Sequence, residues 1–376
     1  GSCIGGSSYN SQTDTVNINN NLPDSTAIMC LITDSLSSCI VIDTLVYDSL
    51  TGWFMTSNQF LALQTYVPDD NFEAYLEANG MGNGIANDDS VFTSAIDTVT
   101  NLDVSSQNIA DLTGIEDFTS LIHIVCESNN ITSLDISQNS NLTHLKTRYN
   151  QLTSLDISNN IALTYLECDY NQITSLNVSN NIALTSLSCA ANQLTILDVS
   201  NNTALIELDC YDNYITSLDV SNNINLIALQ NRGNQLTSLD ISNNTALTGI
   251  DCGDNQLTVL DVSNNPALVS LECYSNQIAT LDITQNIALT WLECHNNQLT
   301  LLDLRNGNNT NMNIDIASNS NLTCINVDDA SWSTANWTNI DPQHYFSYSC
   351  GAAQTYVPDD NFEAYLEANG MGNGIA

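Results

Sequence analysis

Asparagine returns at every twenty-first position along the middle of this chain. Asn129, Asn150, Asn171, Asn192, Asn213, Asn234, Asn255, Asn276 and Asn297 form one ladder without a gap. A second ladder, Asn139, Asn160, Asn181, Asn202, Asn223, Asn244, Asn265 and Asn286, keeps the same spacing. Between the ladders the apolar residues fall as in LTYLECDYNQI, with Leu163, Leu166, Cys168, Asn171 and Ile173. A single closed core offers no reason to repeat one pattern nine times. A stack of coils does, because each coil buries its leucines against the next. Stacked strands lie ~4.8 Å apart, and an inward asparagine at each bend can bond backbone groups that no strand satisfies.

The pattern L-x-x-L-x-C-x-x-N-x-L at this length is that of a leucine-rich repeat. It predicts a right-handed repeat solenoid over 101–303, with parallel β ladders joined by loops. Residues 64–100 read as an N-terminal cap. Pro68 and Asp69 open it, NFEAYLEA forms a short helix and Asn79-Gly80 stops it. Residues 304–353 read as the opposite cap. Residues 1–63 carry no repeat and alternate apolar residues with Asp-Ser or Asp-Thr, which predicts a β-rich region. Residues 354–376 copy 64–86 letter for letter, 290 positions on (354 minus 64). That copy predicts the start of a second unit in a longer tandem protein.

One interior position of the repeat reads Cys126, Thr147, Cys168, Cys189, Cys210, Asn231, Cys252, Cys273, Cys294. Stacked in register, these thiols have parallel Cβ vectors ~4.8 Å apart, beyond the ~3.5–4.5 Å a disulfide needs. They are expected to be small buried hydrophobes with free thiols. Cys324 and Cys350 bracket a Trp-rich segment after the last coil and are expected to form a disulfide. Cys30 and Cys39 are the second expected pair, which leaves Cys3 unmatched.

The charge is lopsided: 42 Asp plus Glu against 4 Lys plus Arg, for a net of −38. Nucleic acid and anionic membranes both require clustered cations, so neither is an expected partner. No apolar run reaches the ~18 residues of a membrane span. The opening GSCIGG is not a basic-plus-apolar signal segment, so any export signal is expected to have been removed already or to lie outside this sequence.

Each coil has two outward segments, and they differ. One is nearly constant (TSLDIS, TSLNVS, TILDVS). The other changes in every coil (HLKTRY, YLECDY, ELDCYD, WLECHN). Lys146, Arg148 and Arg232 lie on the variable segment. So do His123, His144 and His295, together with Tyr149, Tyr165, Tyr170, Tyr211, Tyr274 and Trp291. Exposed aromatics beside charges suit a binding surface for a protein or glycan. The alternative is relaxed constraint, in which the strip varies because folding does not restrain it.

The constant segment carries aspartates at the same spacing, among them Asp198, Asp219, Asp240 and Asp261. Their mutual repulsion can be offset by hydrogen bonds from Ser and Thr, which is the expectation. The alternative is a cation, with calcium suited to oxygen-only ligands. The loop NGMGNGIANDD has only a loose calcium-site spacing, interrupted by Met81 and Ile85. Catalytic readings are weaker still. GMGNG follows a helix, so it is no dinucleotide loop. His123 and His144 lack an evident third ligand for zinc. Paired carboxylates such as Asp209 and Asp212 sit on an expected flat strip. No enzyme activity and no cofactor, calcium excepted, is expected.

The 21-residue coils with their cysteine column resemble the cysteine-ladder branch of the internalin-like bacterial surface proteins. The segments VPDDNFEAYLEANG and LDLRNGNNTNMNIDIASNSNLTCINVDDA are similar to the caps of secreted leucine-rich repeat proteins of gliding, surface-colonising Gram-negative bacteria. The resemblance spans about 64 to 353, with Thr147 and Asn231 departing from the ladder. It implies an extracellular, cell-surface location, adhesion or recognition as the role, and no catalytic residue. The short Asp-Ser/Thr-apolar triplets at 34–36, 43–45 and 48–50 are similar to bacterial O-glycosylation sites. The runner-up expectation is a structural unit, in tandem or self-assembling, of an extracellular fibre.

Overall fold

A computed structural model describes residues 64–351 and Leu366, and of residues 1–63 the backbone of six short strands. Those strands form two antiparallel three-stranded sheets, the longer hairpin pairing Ala27–Thr33 with Ile40–Tyr47. The side chains of Cys3 and of the expected Cys30–Cys39 pair, and the copied segment 354–376 apart from Leu366, lie outside what is described.

The middle of the chain is a parallel β-solenoid. Eleven three-residue strands, from Asn101–Asp103 to Asn313–Asp315, stack in sequence order into one parallel sheet. The repeat length fixes the register, since each strand residue pairs with its counterpart one repeat on: His144 with Tyr165, Leu145 with Leu166, Lys146 with Glu167. The middle residue of each strand points inward and is buried, as Leu145, Leu166 and Leu187 are, save Ile314 of the last strand, which is partly buried against the same core. Each such leucine contributes about 1.5–3 kcal/mol by leaving water, and one continuous core results. Half a coil further along the chain, the constant segment becomes strand only toward the C-terminal end. There Thr280–Asp282, Leu301–Asp303, Cys324–Asn326 and Tyr345–Ser347 form a four-stranded parallel sheet.

Both asparagine ladders face inward and bond backbone, as the repeat required. Asn150 Nδ2 donates to the carbonyls of Cys126 in the preceding coil and of Thr147 in its own, at 2.9 and 3.1 Å. Its Oδ1 accepts from the Ile131 N–H at 3.0 Å. In the second ladder Asn160 Nδ2 donates to the carbonyls of Ile136 and Asn139 at 3.0 and 2.9 Å.

The seven ladder cysteines are buried and free. Burial pushes the Cys126 and Cys210 thiols up to about 12, which keeps them protonated. A protonated thiol can donate: Cys126 Sγ reaches the Lys146 carbonyl at 3.4 Å and Cys168 Sγ the Ser188 carbonyl at 3.5 Å. Thr147 fits the column because its hydroxyl makes the same bond, to the Glu167 carbonyl at 3.4 Å. Asn231 does not fit. It is fully buried, and neither its Nδ2 nor its Oδ1 has a hydrogen-bond partner.

The ends of the core are covered. The helix Asp70–Ala78 is capped by Asp69, whose Oδ1 accepts from Asn71 and Phe72 N–H at 3.0 Å each. The other oxygen of Asp69 accepts from the Ala110 and Asp111 N–H groups at 2.8 and 3.1 Å, so one carboxylate joins helix and solenoid. Phe72 stacks on Phe118 with ring centroids 6.3 Å apart. At the far end Cys324 and Cys350 are disulfide-bonded, as expected. Trp337 packs between Trp332 and Phe346, with its Nε1 on the Met312 carbonyl at 3.2 Å.

Candidate functional site

Because strand side chains alternate, the first and third residues of every strand project from the outer face of the eleven-stranded sheet. The residues that follow each strand continue that face. All twelve strip residues singled out in the sequence lie here, in strands or in the bends after them.

The structure brings them together in groups. His123 and His144 are direct strand partners, edge to face at 4.4 Å, and His144 stacks on Tyr165 at 5.6 Å. Burial, then His123 and Lys146, lower the pKa of His144. Tyr149 and Tyr170 stack at 4.4 Å, and the Tyr170 hydroxyl meets that of Tyr211 at 3.2 Å, two coils on. Arg232 lies over the Tyr211 ring at 4.8 Å. Tyr274 stacks on His295 at 4.9 Å and folds across Gly253, where a Cβ would come within 2.5 Å of its ring. Trp291 stands apart, bonding Glu293 through Nε1 at 3.1 Å.

The cations are not free on this face, and sequence reasoning missed their partners. Lys146 pairs with Glu167 at 3.2 Å and Arg148 with Asp169 at 3.2 Å. Arg232 lies between Asp212 and Asp251 at 3.7 and 3.6 Å. Glu167 and Asp169 each follow their cation by one full repeat, so the repeat spacing itself carried the signal. Burial pushes Glu167 up, but the Tyr165 hydroxyl and Lys146 outweigh it and hold the carboxyl low. For Asp169, almost fully buried, burial wins over Ser188, the Ala190 N–H and Arg148, and its pKa is raised.

Nor is the strip flat throughout. Arg148, Tyr165, Asp169, Ser188, Asp209 and Gln230 line a depression of about 270 Å³. Within it the Ser188 hydroxyl donates to Asp169 and lies 3.5 Å from Asp209 Oδ2. Asp209 Oδ1 is shut off from solvent without a hydrogen-bond partner. Burial first, and then Asp169, push Asp209 up to about 6; Asp251 also stands at about 6, through burial and Glu272.

Tyr149 and Tyr170 carry a further signature. The bend after each strand holds a residue at positive φ, and in other coils that residue is small or short and polar: Ser128, Ala191, Asp212, Gly233, Asp254, Ser275, Asn296 and Ser318. Here it is tyrosine, at φ 54° and 52°. A bulky side chain in the left-handed region costs about 1–2 kcal/mol, and both rings remain well exposed.

The metal candidates sit elsewhere. Asp198, Asp219, Asp240 and Asp261 each accept the N–H of the serine two residues on, at 2.9 Å. Those serine bonds hold them below the usual carboxylate range. Among the described residues, the carboxylates close enough to share an ion are Asp70, Glu73 and Asp89 in the N-terminal cap. Both Glu73 oxygens already accept backbone N–H groups, from Asp88 and Asp89 at 3.1 Å. No described helix is long and apolar enough to cross a membrane.

No family profile matches the chain. Over 86 residues it is 40% identical to internalin J of Listeria monocytogenes serotype 4b (strain F2365), a match covering 23% of this chain and 9% of that protein. The functional domain of InlJ from Listeria monocytogenes, which includes a cysteine ladder, is 34% identical with a TM-score of 0.56. That likeness covers 76% of this chain and 70% of that one. The chain is an internalin-like leucine-rich repeat protein. Internalin-like leucine-rich repeat proteins mediate protein recognition. In the internalin-like chain the seven buried, free thiols form a cysteine ladder of its own.

Proposed function

We propose that this internalin-like chain is an extracellular bacterial protein, carried at the cell surface, that mediates adhesion by recognising a partner protein through the outer face of its eleven-stranded sheet. The observation that carries the reading is the tyrosine pair Tyr149 and Tyr170. Both rings are exposed, stacked and held in a backbone conformation that a glycine or asparagine would adopt at lower cost. Strain retained at exposed aromatics marks a surface kept for something other than folding. The ion pairs beside them, Lys146–Glu167 and Arg148–Asp169, hold the surrounding side chains in place. No catalytic role is assigned to any residue of the face.

The test is attachment of purified chain to natural surfaces. Lys146→Glu with Arg148→Glu, and separately Tyr149→Ser with Tyr170→Ser, should each abolish it. Attachment of both variants at the wild-type level would refute the reading. A second reading, a tandem structural unit of a surface fibre, draws on the letter-for-letter recurrence of 64–86 at 354–376. Light scattering and electron microscopy separate the two: ordered fibres from the purified chain, unaffected by the strip variants, favour the second.

A further inference from the structure

The first outward position of the strands changes character along the sheet. Tyr165 and Trp291 carry rings there, six repeats apart. Between them stand Ser186, Ala228, Gly249 and Ser270, interrupted only by Glu207. A Cβ at Gly249 would touch nothing within 4 Å, so the floor there is open. At ~4.8 Å per coil the two rings are ~29 Å apart, the span of about nine extended residues.

Beside this floor, the third strand position carries Asp209, Asp251, Glu272 and Glu293. Little on the face neutralises them. Arg148 is taken by Asp169, and Arg232 is shared between Asp212 and Asp251. Among the described residues, neither Glu272 nor Glu293 has a cation within 4.0 Å. The buried oxygen of Asp209 is unpaired. This is not the general acidity of the chain. On the opposite side the aspartates 198, 219, 240 and 261 are solvent-exposed, and each holds a serine N–H. Neutral groups serve these carboxylates, Ser188 on Asp209, the Gly253 N–H on Asp251, Ser270 on Glu272 and Trp291 on Glu293, but only Asp251 has a cation beside it. Carboxylates crowded on a half-buried face with so little positive charge are stabilised by a cation brought in from outside.

We propose that the sheet face between Tyr165 and Trp291 takes an extended segment of a partner protein bearing lysine or arginine, laid across the strands with its cations on Asp209, Asp251, Glu272 and Glu293. This rests on the recognition function proposed above and names the chemistry of its partner. A second copy of the chain is a poor occupant, since 4 Lys plus Arg in 376 residues cannot supply such a segment. Protonation weakens the contact: Asp209 is faced by Asp169, Arg148, Arg232 and Ser188, and Asp251 by Glu272, Arg232 and Asp254, and both titrate at about 6.

The probe is a synthetic peptide of about nine residues alternating lysine with serine, matched by the same peptide with glutamate, titrated calorimetrically into the full chain. The lysine peptide should bind and the glutamate peptide should not. Asp251→Asn with Glu272→Gln should weaken binding about tenfold, while Asp240→Asn with Asp261→Asn, an equal loss of charge, should leave it within about twofold. The control pair is structurally benign, because Asn177 already fills that position and accepts the Ser179 N–H at 3.0 Å. Absence of binding, equal binding of the glutamate peptide, or equal weakening in both variants overturns the proposal. The same variants in the attachment assay keep the two ideas apart. Attachment lost in the tyrosine variant, without lysine-peptide binding, leaves recognition standing and removes the cationic partner.

Discussion

Asn231→Cys should make this protein more stable, an unusual outcome for a change at a fully buried position. The side chain lies in the thiol column between Cys210 and Cys252, and both of its polar atoms are buried without partners. A buried polar group left unsatisfied costs about 1–3 kcal/mol, while cysteine is nearly the same size and belongs to the column. The cysteine would also restore the thiol-to-carbonyl bond seen at Cys126 and Cys168. The net gain is therefore about 2 kcal/mol. With an unfolding entropy of about 2.1 cal/mol/K per residue over roughly 290 residues of capped solenoid, that raises the thermal midpoint by about 3 °C. Urea titration should show a higher midpoint at unchanged slope, because the surface exposed on unfolding is the same. Thr147→Cys is the control: Thr147 already donates to the Glu167 carbonyl, so exchanging it should change stability by less than about 0.5 kcal/mol. If Asn231→Cys melts at or below the wild-type temperature, unpaired amide atoms are not what limits this coil.

Other outcomes can be read with the same assays. Tyr170→Gly should be more stable than Tyr170→Ala by about 1 kcal/mol, because both lose the ring contacts and only glycine relieves the left-handed backbone at φ 52°, and both should lose attachment; equal stability of the two would remove the strain argument. Arg148→Ala strands the buried Asp169 carboxylate and should cost about 2 kcal/mol, and Asp169→Asn in that background should recover most of it. Asp209 and Asp251 titrate at about 6 in the folded chain against about 3.9 unfolded. The stability they contribute is complete below about pH 4 and lost as pH rises through 6. The exposed aspartates, whose pKa values are lowered, lose theirs only as pH falls below about 4. Melting temperature should therefore be higher at about pH 5 than at about pH 7.5, and Asp209→Asn with Asp251→Asn should flatten that difference. The seven ladder thiols should resist iodoacetamide in the native chain and react fully in urea, since burial keeps them protonated.

The solenoid was legible in the sequence because its cause is periodic. An asparagine at one fixed place in each repeat states both the coil length and the interior bonds that close each bend. The helix at 70–78 was legible through its ends, Pro68-Asp69 and Asn79-Gly80, and the cap disulfide through the position of its cysteines after the last coil. What the strip does with its charges was harder to see. Pairing Lys146 with Glu167 requires reading across coils, where letters one repeat apart in sequence become neighbours in space. The left-handed backbone of Tyr149 and Tyr170 left no mark in their letters, because it is set by the bend and shared by glycine, serine and aspartate elsewhere. The raised carboxylates Asp209 and Asp251 depend on how deeply the neighbouring coils enclose them, which no spacing reports.

The interior asparagines always bond backward: Asn150 holds carbonyls of the coil before it, as does Asn160. Every seam between coils is therefore the same seam, and removing or duplicating one repeat leaves a joint the chain already contains. Copy number is thus a dimension that can change without a folding penalty, in steps of ~4.8 Å. An extended ligand advances ~3.3 Å per residue, so one extra coil shifts Trp291 from Tyr165 by about one and a half ligand residues. Ligand side chains alternate between two sides, so such a shift puts the wrong side toward the ring. Counting coils then becomes a means of choosing partners that leaves every contact within each coil unchanged.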